Sequence, residues 1–445
     1  MIWEGLTMEA ALEASTMRKV YLRLLPFAVL SYIMAYIDRI NGSFAALTMR
    51  SDLNMSAADF GFAVGTFYWA YFLFEVPSNV ILQKVGARIW IARIMITWGI
   101  FACATAFVTG TTSFAVVRFL LGMAEAGFFP GLILYFTYWF PARHHARIVS
   151  SFLIGLPIAV AVGAPISTGL MSLDGLFGLK GWQIMYFAEG LPTIALGIVT
   201  FFVMINRPEE ATFLTKPEKD WLVGKIAGER KAKETVRVYS LLESMWNPRV
   251  LLLALNYFGI VTASLGILFF IPQIIKSLGT MSNMTVGWLT MIPYICGGVS
   301  LVVWGRVSDR MNERRWNLLI ACVLSTGGLV MAGLTMGSWW ALVGVCLATM
   351  GFYGSKGPFF AMPAMFLSGT ALASGFAWIN SIGNLGGFFG PWWIGLMKDA
   401  TGSYSGGLYG LALLTLVSSL VCAFFLHIPD IVTPAQHRPA LAPAR

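Results

Sequence analysis

The sequence predicts an all-α membrane protein, with twelve transmembrane helices in two six-helix bundles related by a pseudo-two-fold repeat. Three observations predict it. Only 11% of the 445 residues are charged, against 57% hydrophobic. The apolar residues gather into twelve runs long enough to cross a bilayer. Features of the first half recur in the second at a constant offset of 226 residues.

The composition excludes a soluble protein of this length. A soluble domain carries about 25% charged residues, because its surface faces water. Lipid removes that demand, and a spanning helix needs only roughly 20 apolar residues. A net charge of +9 would suit nucleic acid if the basic residues formed one compact patch. They lie between apolar runs instead, so no nucleic-acid partner is expected. Cys103, Cys296, Cys322, Cys346 and Cys422 all fall inside apolar runs. They have neither disulfide-framework nor metal-site spacing and read as small core side chains. No metal and no cofactor is expected beyond a co-transported proton. The first 23 residues are too polar for a signal peptide, and the first apolar run contains Asp38 and Arg39. That run reads as a mature span.

The spans are expected near 24–48, 60–82, 90–109, 113–138, 150–172 and 184–205 in the first half. In the second half they are expected near 250–274, 285–304, 316–336, 339–366, 373–396 and 405–427. All must be helices, since an unpaired backbone group in hydrocarbon costs several kcal/mol. Residues 1–23 then form a cytoplasmic N-terminal segment and 24–205 the first bundle. Residues 206–249 form a cytoplasmic linker, 250–427 the second bundle and 428–445 a proline-rich cytoplasmic tail. Within the linker, Lys216 to Lys233 reads as a surface helix. Of the 30 Lys and Arg residues, 23 lie on the side of the N-terminus. Arg50, Lys180, Lys276 and Lys398 lie on the other side, and Arg39, Arg118 and Lys356 lie inside spans. Basic residues favour the cytoplasmic side, so both termini are placed there, in the inner membrane of the cell.

The repeat shows in the short loops. Residues Asn79 to Arg88 correspond to Gly305 to Arg314, and Pro165 and Gly169 to Pro391 and Gly395, all offset by 226. Duplicated six-helix units are a mark of secondary transporters, with the binding site at mid-membrane between them.

The Gly305…Asp309-Arg310 stretch resembles the loop motif of the major facilitators, whose charged groups latch the cytoplasmic side. The first copy keeps the basic Lys84 and Arg88, but Gln83 stands where the acid is expected and Asn79 where the glycine is. More specific strings are Ala35-Tyr36-Ile37-Asp38-Arg39-Ile40-Asn41, Trp69-Ala70-Tyr71 with Pro77-Ser78-Asn79, Arg118 to Gly131, and Ile379 to Gly387. Together they resemble the anion:cation symporter family of major facilitators over nearly the whole chain. The resemblance implies uptake, with protons, of acids such as tartrate, phthalate, hydroxyphenylacetate or sugar acids.

The residues add their own argument. An intramembrane charge costs about 2.5–3.5 kcal/mol on insertion scales and is usually functional or paired. Asp38, Arg39, Tyr71, Glu125, Lys356 and Asn384 all fall near the centres of their spans, drawn from both halves. Arg39 is the leading anion ligand, because its planar fork matches a carboxylate bidentately and stays charged. Tyr36 lies near it on the same helix face as Tyr32 and Ser43. The competing expectation is that Arg39 pairs with a carboxylate to hold spans together. Lys356, in Gly354-Ser-Lys356-Gly-Pro358, sits where a helix should break and line a cavity. It would suit a second carboxylate, or pair with an acid of the protein. Phe359 and Phe360 would make an apolar wall. Tyr71 and Asn384 can hydrogen-bond substrate oxygens, and Asn380 shares a face with Asn384.

Asp38 and Glu125 are the expected proton carriers, with Arg118 beside them. Burial raises a carboxyl pKa and a nearby cation lowers it, so such a group can load and release a proton. Asp38 cannot face the same way as Arg39, since neighbours on a helix differ by about 100°. Its alternative role is a permanent ion pair with Arg118. Glu189 and Glu75 are weaker candidates, with Glu75 read as structural.

The expected function is proton-coupled uptake of a small organic anion by alternating access, with an anion exchanger or exporter as the alternative. A monomer in contact with lipid is expected. An enzyme is not, because His144, His145, His427 and His437 lie in loops or at a span end, with no nucleophile or zinc motif. A sensor would need an appended signalling domain.

Overall fold

In a computed structural model, residues 2–234, 246–311, 313–367 and 369–426 are described. The expected tail at 428–445, with His427 and His437, lies outside them.

Helix α1 (Ile2–Asp52) runs unbroken through the polar start of the chain and the first span. At 1.5 Å per residue it is far longer than the roughly 30 Å of hydrocarbon it must cross. The first bundle continues with α2 (Ala57–Val85), α3 (Ala87–Ala104), α4 (Thr111–Glu125) and α5 (Phe128–Trp139). It closes with α6 (Ala142–Leu153), α7 (Gly155–Met171) and α8 (Gly181–Val203). Helix α9 (Lys216–Glu234) occupies the linker, on the segment expected to form a surface helix. The second bundle holds α10 (Pro248–Lys276), α11 (Asn283–Met311), α12 (Arg315–Leu334), α13 (Trp339–Gly354) and α14 (Lys356–Ala361). It ends with α15 (Gly369–Thr401) and α16 (Ser405–Phe425).

The twelve-helix architecture is reached with three composite spans: α4 with α5, α6 with α7, and α13 with α14. The break in the tenth span at Ser355 is the one the glycine–proline run predicts. The break after Glu125 is not apparent in the hydropathy. Gly127 adopts φ +89° there, a conformation only glycine takes without strain. A side chain at that position would also strike the Ser78 side chain of α2. Nine of the described helical stretches are by themselves long and apolar enough to cross a membrane. The remaining three spans are α2, α13–α14 and α15. Helix α2 carries Asp59, Glu75 and Lys84, α13–α14 is interrupted, and α15 carries Asn380, Ser381 and Asn384.

Helix ends follow local chemistry. Ser56 and Asp59 form a reciprocal capping box at the start of α2, satisfying amides that the first turn leaves free. Asn247 accepts from the Arg249 amide at 2.9 Å, and Pro248 takes the first helical position of α10, where a missing N–H costs nothing.

The side that carries α9 is termed here the linker side, and the opposite side the far side. The two bundles meet through α2 against α15, α7 against α11 and α1 against α10, pairings that respect the repeat. On the far side they are in close contact. Gly61 lies against the Pro391 backbone and Gly395 against the Ala57 backbone. Arg50 donates from Nη1 to Gln273 Oε1 at 2.6 Å. Asp399 of α15 accepts from the amides of Ala57 and Ala58 at 3.0 and 2.7 Å, so a carboxylate from one bundle caps a helix of the other. On the linker side the loop motif stays within its own half. Asp309 pairs with Arg314 at 2.6 Å, while Lys84, Arg88 and Arg310 point into the open and Gly305 faces Gly357. The Arg88 amide donates to Asn206 Oδ1 at 2.9 Å.

Helix α9 is tethered to α1. Buried Glu218 accepts from Ser15 at 2.7 Å and from Lys19 at 2.8 Å. Burial alone would raise its carboxyl pKa, but the hydrogen bonds from Lys19, Ser15 and Thr215 prevail and bring it from 4.5 to about 2. A depressed carboxyl stabilises the fold fully above its unfolded pKa and loses that contribution as pH falls through the folded value. The tether is therefore constant across neutral pH. Glu218→Gln should weaken it by about 1 kcal/mol and speed protease nicking of the linker roughly fivefold. Unchanged nicking would show that α9 is held by other contacts.

Candidate functional site

A cavity of about 100 Å³ lies between the bundles. Tyr36 and Arg39 of α1 and Tyr68 of α2 line it from the first half. Tyr257 and Ser264 of α10, Phe352, Ser355, Lys356 and Phe359 around the α13–α14 break, and Asn384 of α15 line it from the second. A second cavity of about 70 Å³ adjoins it, sharing Tyr36, Ser264, Phe352 and Lys356 and adding Tyr294, Thr349 and Tyr353.

Arg39 is built into an aromatic collar. Its guanidinium lies 5.1 Å from the rings of Tyr36 and Phe67 and 5.5 Å from that of Tyr71. Nη2 forms an ion pair with Glu125 Oε1. The Glu125 side chain is 2% exposed and that of Arg39 16%, so the arginine is the partner that meets the cavity. Glu125 is the last residue of α4, directly before the Gly127 break. The close approach of Gly122 to the Phe67 backbone lets that helix end reach Arg39. The competing sequence expectation, a carboxylate partner for Arg39, is thus present, together with access to the cavity.

Lys356 begins α14 on the opposite wall. Its ammonium stands 4.4 Å from the Tyr353 ring centroid. Among the described residues no carboxylate pairs with it. Tyr257 stacks on Phe359 at 4.9 Å and meets Phe360 edge-on at 5.7 Å; Phe359 lines the cavity, whereas Phe360, expected beside it in an apolar wall, is exposed and does not.

Asp38 turns away from the cavity, as the 100° step requires. It is 1% exposed, and its Oδ2 accepts from Trp98 Nε1 at 2.7 Å and Thr193 Oγ1 at 2.8 Å. Arg118 is 2% exposed and reaches Tyr186 Oη at 3.5 Å. The two form no direct ion pair among the described residues, although their charges are close enough to interact. Any side chain at Gly42 would strike the Arg118 guanidinium. Tyr71 lies behind Arg39, stacked on Phe67 at 5.8 Å, and is not among the cavity-lining residues. Asn380 points to the linker side, donating to Glu75 Oε1 of the other bundle at 3.5 Å.

Sequence reasoning missed Tyr68, Tyr257, Ser264, Phe352 and Ser355 as lining residues. The signal for Tyr68 lies in the structure. Its buried hydroxyl has no hydrogen-bond partner and borders the cavity, whereas a buried tyrosine hydroxyl usually finds one. The arrangement offers two cations from opposite halves, a free phenol and an asparagine amide, all directed at a small volume.

Comparisons with known proteins place this geometry in context. The profile described as Major Facilitator Superfamily matches residues 28–391 and 253–444. A protein of Agrobacterium vitis named "Putative tartrate transporter" is 48% identical over 92% of this chain and 91% of its own length. The "Quinolone resistance transporter" of Acinetobacter baumannii is 38% identical over 91% of this chain and 93% of its own. Among solved structures, a bacterial homologue of the human lysosomal transporter Spinster superposes with TM-score 0.75. That match covers 92% of this chain and 96% of the other at 15% identity, which supports the fold alone.

Proposed function

The chain belongs to the major facilitator superfamily of multi-pass membrane transporters, and from that premise we propose that it takes up a small dicarboxylate together with protons by alternating access. The observation that carries this reading is the pair of cations, Arg39 and Lys356, facing one cavity from opposite bundles. Two carboxylates of one small anion would bridge them and so couple the halves. Drug-sized sites run to about 300–1,000 Å³, so a cavity of about 100 Å³ favours an anion of a few carbons. The tartrate name carried by the Agrobacterium vitis relative points the same way. The aromatic walls of Tyr36, Tyr68, Tyr257, Phe352 and Phe359 also suit a compact aromatic acid. The transporter is placed in the inner membrane with its linker side in the cytoplasm, as a monomer.

Protons enter through Glu125. A carboxylate docking on Arg39 competes with Glu125 for the guanidinium, and a buried carboxylate that loses its partner costs several kcal/mol unless it is protonated. Anion binding at Arg39 and proton binding at Glu125 therefore favour each other. The contacts between bundles on the far side correspond to a state closed to the outside.

The test is uptake of labelled L-tartrate and phthalate into proteoliposomes under an imposed pH gradient. Gradient-dependent uptake of one of them supports symport, and uptake unchanged after collapse of all ion gradients refutes it. Lys356→Gln should weaken a dicarboxylate by roughly tenfold or more while leaving a monocarboxylate analogue nearly unchanged, as expected for one lost charge-assisted hydrogen bond. Equal losses for both would remove Lys356 from the site.

A second reading, export or exchange on the same site, draws on the relative named for quinolone resistance. Everted vesicles loaded under the opposite gradient distinguish it.

A further inference from the structure

We propose that Asp38 and Glu189 form a second, inner proton site in the first bundle that holds one shared proton beside Arg118. This rests on the proton-coupled reading above and adds Glu189 as a working carboxyl.

The site is assembled from five helices. Asp38 and Asn41 come from α1, Trp98 from α3, Arg118 from α4, Ser167 from α7, and Glu189 and Thr193 from α8. Exposure is 1% for Asp38, 2% for Arg118 and 3% for Glu189. Glu189 Oε1 accepts from Ser167 Oγ at 2.6 Å. Thr193, one turn beyond Glu189 on the same helix face, donates to Asp38 at 2.8 Å. Thr193 thus ties the Asp38 carboxylate to the helix turn that carries Glu189, and the two carboxyls are close enough to act on each other through their charge. Each keeps an oxygen without a hydrogen-bond partner, Asp38 Oδ1 and Glu189 Oε2. Asn41 is 0% exposed and its side chain is close enough to Glu189 to act on the carboxyl, although no hydrogen bond of normal geometry joins the two. A proton on either carboxyl turns an orphan acceptor into a donor.

Charge decides how many protons the cluster holds. The groups facing it are the Arg118 guanidinium, the neutral Tyr186 phenol, the Cys103 thiol of α3, and Glu125, whose charge Arg39 balances. With both carboxyls ionised, the cluster carries one uncompensated negative charge in the bundle interior. Burying such a charge costs several kcal/mol, and two carboxylates sharing a site cannot both stay ionised cheaply. One proton makes it neutral. Two protons would leave Arg118 unbalanced. Because Asp38 and Arg39 are neighbours on α1 with side chains about 100° apart, any rotation of α1 when the cavity loads changes the inner site as well. A second proton carrier, out of reach of substrate, follows.

Infrared difference spectroscopy of the full-length protein tests this without reference to transport. The parent is Glu75→Gln, which removes the other buried carboxyl that lacks an ion pair among the described residues. At neutral pH the parent should show one protonated-carboxyl C=O band. Asp38→Asn and Glu189→Gln should each abolish it, since the remaining carboxylate then balances Arg118. Glu189→Asp should restore it, which guards against misfolding as the cause. Persistence of the band in either single variant would mean that the other carboxyl holds a proton of its own, and would overturn sharing. Absence of the band in the parent would overturn the site. Should the band behave as expected while uptake ignores the pH gradient, the inner site stands and the symport reading falls.

Discussion

Arg39→Ala is expected to lower the uptake efficiency of the preferred anion at least about 100-fold, with Arg39→Lys recovering roughly a tenth of the wild-type rate. Two losses combine in the alanine variant. The anion loses its bidentate partner, and Glu125 is left buried without its cation. Truncating one member of a buried charge pair costs about 2–5 kcal/mol, and each 1.36 kcal/mol is a factor of ten. Lysine restores the charge but not the planar fork, nor the stacking on aromatic faces that arginine makes. The collar of Tyr36, Phe67 and Tyr71 at 5.1–5.5 Å fits a flat guanidinium better than an ammonium. The measurement is initial uptake against concentration for the three proteins, with reconstituted amount and thermal midpoint as controls. Full activity in Arg39→Ala would show that the Arg39–Glu125 pair only holds spans together.

The depth of the site was legible in the sequence, and its rotation only in part. Hydropathy fixes how far along a helix a residue lies. It therefore placed Arg39, Glu125, Lys356 and Asn384 at one level, and the structure brings these four to or beside one cavity. The 100° step turned Asp38 away from Arg39, as observed. Which face of a helix meets the other bundle is set by packing between halves. That information is absent from any single apolar run. Asn380 shares a face with Asn384 yet reaches Glu75 on the linker side, because a helix turn of 5.4 Å separates them along the axis. Depth along the span singles out Tyr71 and says nothing about which face meets the other bundle. The close contact between Tyr68 and Gly387 of α15 brings Tyr68 forward and leaves Tyr71 behind Arg39. The glycine–proline run around Lys356 announced the break before α14. Gly127 gave no such notice, since an isolated glycine in an apolar run is common and only its φ of +89° betrays the bend. Glu189 looked weak because its partners, Ser167, Thr193 and Asn41, come from three helices and share no local pattern.

Glu125→Gln should cut gradient-driven accumulation by about 50-fold at a potential of 100 mV while leaving exchange of labelled for unlabelled anion intact. Glutamine keeps the shape and can still accept a hydrogen bond from Arg39, but it neither competes as an anion nor carries a proton. Arg39 then stays available to substrate, so affinity should rise or hold. The cycle loses one proton. Each charge moved across the membrane is worth about 2.3 kcal/mol per 100 mV, so a monoanion that entered with two protons would forfeit about 50-fold in accumulation ratio at that potential. A dianion that entered neutrally would now carry a net negative charge inward against the potential and lose the same factor. The membrane-potential dependence of residual uptake therefore reports the charge of the substrate as well as the role of Glu125. Undiminished accumulation in Glu125→Gln would move the proton to the inner pair of Asp38 and Glu189 alone. Loss of exchange along with accumulation would make Glu125 a positioning partner of Arg39, with no part in carrying protons.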